Sequence, residues 1–375
     1  MKNRVLKVTL NSFKGLLCKN CGMSKNLRHD AKILFFSVLF LALFLTGCTK
    51  KSAEPAKQAA VKASGKSQYT IGFSIDTLAI ERWRRDCDVF MNTAKEKNAN
   101  VIVQNAGNSI EEQIRQIQYL IDKKVDVIVI VAKKADSLTD VIKSARSHGI
   151  PVISYDRLIM NSDISLYVTV DSEKVGELMA AGLLKIDPNG KWFCIYGPQE
   201  DNNMAMIRSG VEKVIAGTSV NVDYVYYTDG WNYDLSYQEM SRLLKEGNIP
   251  TSVVCGNDAV ANSVIQAVSE ICPDKKINIV GQDADILNCQ HIVSGRQTFT
   301  VYKPITELAR ISARIACELA AGKSVQELPD ITSTIDNGYA QIPSAMLDPV
   351  AVDKENMDSV VIESGFHTYG EVYRN

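Results

Sequence analysis

The chain has 375 residues, 46% of them hydrophobic and 23% charged, with a formal net charge of −1. That length allows one large or two ordinary domains, and the composition is ordinary for a globular protein. The near-neutral balance, with no stripe of Lys and Arg along a helix, excludes nucleic acid as an expected partner.

Residues 33–45, ILFFSVLFLALFL, form an uncharged run of 13. The run is short for a bilayer span and has the length of a signal-peptide core. Lys25, Arg28 and Lys32 precede it, and Leu45-Thr46-Gly47-Cys48 follows. This junction resembles the lipobox of bacterial lipoproteins. The resemblance implies that 1–47 is a signal peptide and that Cys48 becomes a lipidated first residue. Met23 is an alternative start, because residues 1–22 exceed what a signal peptide needs. A buried apolar helix ending in Gly-Cys is the competing reading. Residues 49–67 are small, polar and lysine-rich, cannot bury a core, and with Cys48 read as a flexible tether over 48–67. Cys18 and Cys21 form a CxxC with no second pair, so no zinc or redox site is expected, and no metal or cofactor elsewhere. Cys87, Cys194, Cys255, Cys272, Cys289 and Cys317 remain; their spacing shows no disulfide framework, although their even number leaves pairing open. Cys194 and Cys255 lie in apolar runs and read as buried thiols.

From Tyr69 onward, short apolar strands alternate with amphipathic helices. Thr70–Ile75 reads as a strand and Ile80–Lys97 as a helix with Trp83, Cys87, Phe90 and Ala94 on one face. A strand at Asn100–Gln104 is followed by Ser109-Ile-Glu-Glu112, a capping-box pattern that opens a helix burying Ile110, Ile114, Ile117 and Ile121. Asp126–Val131 is a continuous apolar strand of the kind buried on both faces of a parallel sheet. A helix runs to His148, Gly149 stops it, and Pro151–Tyr155 is the next strand. Further strands are expected at 191–196, 222–227, 252–255, 277–281 and 297–302, with helices at 172–186, 202–216, 234–246, 259–271, 285–294 and 304–322. This rhythm predicts an α/β fold with two doubly wound parallel-sheet lobes, since about 300 residues of it exceed one sheet.

The strand ends carry the chemistry: Asp76; Tyr155-Asp156-Arg157; Asp201-Asn202-Asn203; Asp229-Gly230-Trp231; Gly256-Asn257-Asp258; Gly281 through Asp285; and Tyr302-Lys303-Pro304. Each alone is compatible with a helix cap or turn; the coincidence across seven strands points to one ligand site.

The stretches IGFSID with ERWRRD, YDRLI, VDSEKVGEL, DNN, DGW, GND, GQDAD, TVYKPI and ESGFH together resemble the periplasmic xylose-binding proteins of the type I sugar-binding superfamily. The resemblance runs from about Tyr69 to His367. It implies sugar contacts at Arg82, Asp156, Arg157 and Lys303 from the first lobe and hinge edge, and at Asn203, Trp231, Asn257 and Asp283 from the second. Trp83 would stack on the sugar opposite Trp231, and Asn202 is the weaker member of its pair. It also implies a three-strand hinge. The N-lobe would comprise 68–171 plus 302–336 and the C-lobe 172–301 plus 337–375, with crossings near Asp171, Tyr302 and Asp336. One stretch departs: Ala132-Lys133-Lys134-Ala135 replaces a Pro-Tyr-Asn-like turn near the cleft mouth.

The residue types suit such a ligand. Flat rings bury the two CH-rich faces of a sugar, carboxylates accept from adjacent hydroxyls, cations donate, and amides do both. Blander readings accompany several positions. Trp83 shares a stripe with Cys87 and Phe90, Asp156 and Arg157 could form a surface ion pair, and Asp76 and Asp285 could cap helices. His148 and His291 read as structural.

The expected function is a lipid-anchored, monomeric, extracytoplasmic receptor that captures a monosaccharide, D-xylose first, by hinge closure and hands it to an ABC permease. A sensor of the same fold signalling to a kinase or chemoreceptor, or a binder of glucose, ribose or arabinose, are the alternatives. An enzyme is not expected. GxSxG, HExxH and P-loop patterns are absent, and only 4 His are present. Asp156 and Asp283 could mimic a glycosidase pair, but Arg157 and Lys303 would hold both ionised.

Overall fold

A computed structural model describes residues 68–374. The expected signal peptide, Cys48, the tether, and Cys18 with Cys21 lie outside the described residues. The chain first lays down β1 (Tyr69–Ile75), α1 (Glu81–Glu96), β2 (Ala99–Asn105), α2 (Ile110–Asp122), β3 (Val127–Val131), α3 (Thr139–Ser147), β4 (Val152–Tyr155) and β5 (Leu166–Val170). A second series follows: α4 (Ser172–Ile186), β6 (Lys191–Tyr196), α5 (Asn202–Ile215), β7 (Asn221–Tyr227), α6 (Tyr233–Lys245), β8 (Ser252–Cys255), α7 (Asp258–Ile271), β9 (Asn278–Gln282), α8 (Ile286–Val293) and β10 (Phe299–Tyr302). The chain ends with α9 (Ile305–Ala320), β11 (Ser333–Asp336), β12 (Gln341–Leu347) and β13 (Val350–Val352).

Two sheets result, ordered β11-β12-β5-β4-β3-β1-β2 and β13-β10-β9-β8-β6-β7. All pairings are parallel except β11 with β12 and β10 with β13. Setting β11 aside, the two orders correspond strand for strand, so β4 of the first lobe and β9 of the second are equivalent. Alternation along each central strand sends side chains to opposite cores. Val127, Val129 and Val131 of β3 join one buried cluster while Ile128 and Ile130 join another. In β8, Val253 and Cys255 face one cluster and Val254 the other.

The expected boundary near Asp336 is corrected. β12 pairs in parallel with β5, from Ser344 opposite Tyr167 to Leu347 opposite Val170, so 341–347 belongs to the first sheet. The chain leaves that sheet at Asp348 and Pro349, just before β13. It also passes between sheets after β5 and after β10. In α2, Ser109 Oγ accepts from the Glu112 amide at 3.2 Å, but Glu112 turns to Arg115 and Gln116 rather than back to the cap. Ile114 is corrected to an exposed position and Ile110 is half-buried; Gln113, Ile117, Leu120 and Ile121 form the buried face. Cys87, Cys194, Cys255, Cys272 and Cys317 are free thiols. Among the described residues no helix is long and apolar enough to cross a membrane, and no side-chain cluster is arranged to hold a metal ion.

Helices α4 and α5 cross backbone to backbone. A Cβ on Gly176 would stand 2.0 Å from the Ile207 carbonyl oxygen, and one on Gly210 would stand 2.0 Å from that of Glu173. Neither neighbour can retreat, because both are main chain. Gly176→Ala is therefore expected to destabilise the protein by about 1–3 kcal/mol, the usual cost of overpacking, as read by urea unfolding.

Candidate functional site

Every side chain proposed for the site comes from the carboxyl end of a strand, where parallel α/β sheets leave loops and helix N-termini free to face a ligand. From the first lobe come Arg82 and Trp83 in the first turn of α1, and Asp156 and Arg157 after β4. From the second come Asn203 in the first turn of α5, Trp231 after β7, Asn257 after β8 and Asp283 after β9. Lys303 follows β10. All nine line one small cavity, together with Ile80, Asp201, Met204 and Gln282. Asn202 instead lines a groove at the cleft rim beside Lys134 and Glu200.

The cavity is built on buried ion pairs. Arg82 Nη1 lies 2.8 Å from Asp156 Oδ2 and 3.8 Å from Asp283 Oδ1, while Nη2 reaches Asp86 at 3.3 Å. Arg157 donates to Asp76 at 2.5 Å and to the Ala132 carbonyl at 3.2 Å, and pairs with Asp201 at 2.7 Å. Lys303 Nζ sits 2.8 Å from Asp283 Oδ1. The tyrosine hydroxyl of Tyr155 donates to Asp86. Arg157 and Asp156 therefore belong to a buried network, not to a surface pair. Asp201 and Asp86 were not anticipated as members. Asp201 sits inside the DNN motif, but only the fold puts its carboxylate opposite Arg157.

Burial pushes the Asp86 and Asp201 carboxyls up, against the pull of Arg82 and Arg157 respectively. For Asp156 burial also pushes up, but Arg82, then Lys303, then Arg157 pull down harder, and the carboxyl ends below its ordinary range. Asp156 is thus held as an anion and cannot serve as a general acid near neutrality.

Within this network six buried polar atoms lack an aligned hydrogen-bond partner. Arg82 Nη1 and the indole nitrogens of Trp83 and Trp231 are donors; Asn203 Oδ1, Gln282 Oε1 and Asp283 Oδ1 are acceptors. Arg82 Nη1 and Asp283 Oδ1 are close to counter-charges, yet the angles are wrong for hydrogen bonding. Their charges are compensated while their hydrogen-bonding capacity is not. Such unpaired buried atoms cost about 1–3 kcal/mol each, so a ligand that supplies partners gains that much selectivity.

Trp83 is both core and lining. It is buried in the first-lobe cluster and lines the cavity, with the Arg82 guanidinium 4.3 Å from its ring centroid. Trp231 packs against clusters of both lobes. Its indole lies so close to Gly197 that an added Cβ would stand 2.3 Å from the ring, so only glycine fits there. Asn257 has a double role: Oδ1 caps α7 through the Val260 amide at 2.9 Å, and Nδ2 lies 3.4 Å from the Tyr233 hydroxyl beside the cavity. Asp76 accepts from the Thr77 amide at 2.6 Å as well as from Arg157. Asp285 occupies the N-cap position of α8. His291 is buried and pushed down to about 4 by burial, while His148 Nδ1 donates to the Ser144 carbonyl at 2.8 Å on the surface.

Asp156 and Asp283 occupy equivalent places. Each follows its strand with positive φ, 60° and 101°, and each main-chain amide bonds to the next strand, at Val168 (2.8 Å) and Val301 (2.9 Å). Trp231 (φ 56°) and Ala284 (φ 55°) are also left-handed. Such residues cost about 1–3 kcal/mol each and persist only where surroundings over-determine them.

The lobes touch at the rim as well. The Ala135 amide donates to the Glu200 carbonyl at 3.2 Å and Asn108 Nδ2 to the Gly230 carbonyl at 3.3 Å. Asn203 Nδ2 donates to Asp156 Oδ1 at 3.1 Å deeper in. The departing loop 132–135 thus makes its rim contact through main chain, which any side chain permits.

Residues 71–324 match the family described as periplasmic binding protein domain. The chain belongs to that family. Its two lobes have the type I fold of this group. The D-xylose-binding periplasmic protein of Haemophilus influenzae is 41% identical over 308 residues, covering 81% of this chain and 92% of that protein. The corresponding Escherichia coli protein is 39% identical over 315 residues, covering 83% and 94%. Among solved structures, an ABC transporter solute-binding protein from Clostridium phytofermentans with bound β-D-glucose superposes with a TM-score of 0.75 at 28% identity, covering 81% of this chain and 99% of its own.

Because Asp156 is held low, the sign of its linkage is set: its contribution to stability is present above the unfolded carboxyl value and is lost as pH falls through the lower folded value. Asp156→Asn leaves Arg82 less compensated and is expected to cost about 3–5 kcal/mol near neutrality. In chemical denaturation at a series of pH values, the gap between wild type and variant should close on acidification below the ordinary 3.8.

Proposed function

We propose that this member of the periplasmic binding protein family is a lipid-anchored extracytoplasmic receptor that captures a monosaccharide, D-xylose first, by lobe closure and delivers it to an ABC permease. The observation that carries the reading is the mixture of three donors and three acceptors left unpaired in a cavity of paired charges between two indoles. A ligand with one net charge would upset ion pairs that already compensate each other. A polyhydroxyl ligand can donate to Asn203, Gln282 and Asp283, accept from Arg82 and the indoles, and lay its apolar faces on the rings. The relatives named for D-xylose binding support the choice of sugar.

Closure follows from placement. Arg82, Trp83, Asp156 and Arg157 ride on the first lobe, and Asn203, Trp231, Asn257 and Asp283 on the second. A sugar bonded to both sets favours the arrangement in which they converge. Binding rather than turnover suits carboxylates held by Arg82 and Lys303, and incubation with xylosides is expected to release no product. Tethering through Cys48 would keep the receptor at the membrane, close to its permease.

Isothermal titration with D-xylose, D-ribose, L-arabinose and D-glucose tests the reading. Binding is expected for D-xylose, with Asp283→Asn weakening it roughly 10–100-fold, the range for hydrogen bonds to a charged group. If no aldose binds, the sugar assignment falls. Separately, Cys48→Ser is expected to shift the protein from the membrane to the soluble fraction of fractionated cells; unchanged membrane association would remove the lipid anchor from the proposal.

A further inference from the structure

Two buried residues from the recognised motifs, Asp258 of GND and His367 of GFH, do not line the cavity. Both end on the turn that carries Asp283. That turn holds two successive non-glycine residues at positive φ, Asp283 at 101° and Ala284 at 55°. Its main-chain groups are pinned one after another. The Asp283 amide donates to the Val301 carbonyl at 2.9 Å. His367 Nε2 donates to the Ala284 carbonyl at 2.8 Å. The Asp285 amide donates to Asp258 Oδ2 at 3.1 Å.

Neither pinning group is loose. The Asp258 carboxyl, pushed up to about 8 by burial, also accepts from Gln297 Nε2 at 3.0 Å and from Thr300 Oγ1 at 2.9 Å, so it is tied to β10. Strand β9 passes so near that a Cβ on Gly281 would stand 2.3 Å from Asp258 Oδ1. The His367 ring packs edge-on against Phe366, with centroids 4.5 Å apart, and Phe366 packs on Tyr302 at 4.9 Å. Tyr302 directly precedes Lys303, the cation paired with Asp283. From the first lobe, Arg85 covers the Phe366 ring at 4.1 Å and donates to the Phe366 carbonyl at 2.7 Å. Arg85 lies on α1, the helix that also presents Arg82 and Trp83. Burial first, and Arg85 after it, lower the His367 pKa against the opposing Ala284 carbonyl and Glu371, which favours a neutral ring with its proton on Nε2.

We propose that Asp258 and His367 are positioning residues: they clamp the Asp283–Ala284 turn in its left-handed conformation and so aim the Asp283 carboxylate into the cavity. Without the clamp, the turn can relax to ordinary φ and the carboxylate swings away from Lys303 and the ligand. This rests on the reading of Asp283 as a sugar contact. A glutamine at 367 offers an amide N–H at a reach similar to Nε2, whereas leucine fills the space without a donor.

D-xylose titration calorimetry and thermal unfolding on wild type, His367→Leu, His367→Gln, Asp258→Leu and Asp283→Asn test the clamp. His367→Leu and Asp258→Leu are expected to weaken D-xylose binding by about tenfold or more, the effect of misplacing one charge-assisted hydrogen bond. His367→Gln should return to within about threefold of wild type, a loss below that of one ordinary hydrogen bond. A merely structural role would lower the melting temperature of His367→Leu and leave the affinity of the folded protein unchanged, and that result overturns the clamp. Should His367→Leu not fold, wild-type affinity in folded Asp258→Leu overturns it equally. Loss of binding in Asp283→Asn with normal binding in both clamp variants removes the clamp alone. Normal binding in Asp283→Asn removes the sugar contact and the clamp together.

Discussion

Taking charge out of water is the constraint on which this cleft depends. Asp76, Asp86, Asp156, Asp201 and Asp283 and their cations Arg82, Arg157 and Lys303 are all buried. Each would carry a desolvation penalty of several kcal/mol if left alone. Pairing offsets the penalty, and several pairs need both lobes: Arg157 with Asp201, Arg82 with Asp283, and Asn203 with Asp156. Electrostatics and closure are therefore one problem. A residue that compensates a charge also holds the lobes together, and a ligand entering the cleft joins a network whose charges are already paired but which is short of aligned hydrogen bonds.

The near-repeat of the two sheets explains how such a network is assembled. Equivalent strands β4 and β9 end in equivalent aspartates, each left-handed and each bonded through its amide to the neighbouring strand. Two similar lobes facing each other across a cleft thereby present two carboxylates to one small volume. The cations break the resemblance. Arg82 rises from the first turn of α1, whereas Lys303 comes from the segment after β10 where the chain passes back to the first lobe. The contacts at the rim, from Ala135 to Glu200 and from Asn108 to Gly230, are single hydrogen bonds that can be made and broken at small cost.

The α/β rhythm was readable because strands and helices here differ in period and are separated by helix caps and turn residues. Where the rhythm fails, so does the reading. β4 and β5 are parallel neighbours joined by a loop without a helix, and Leu166–Val170 passed unnoticed as a strand. β11 is 4 residues and β13 only 3, too short for a period-2 pattern to register, and missing β11 and β12 misplaced the last crossing. Ile114 illustrates the same limit in a helix. Four isoleucines at helical spacing look alike, but only contact with β1 and β3 decides which of them face the sheet.

The sequence by itself determined that two α/β lobes form and that strand ends carry Arg82, Trp83, Asp156, Arg157, Asn203, Trp231, Asn257, Asp283 and Lys303, because element type and turn chemistry are local properties. Motif resemblance then grouped those residues into one site. Only the tertiary structure decided their partners. That Asp201 meets Arg157 across the cleft, that Tyr155 reaches Asp86, and that Asp258 and His367 grip the Asp283 turn are contacts between residues as many as 83 positions apart, as in His367 and Ala284. Charge compensation in a buried cleft depends on distances of a few ångströms, and no local pattern encodes those.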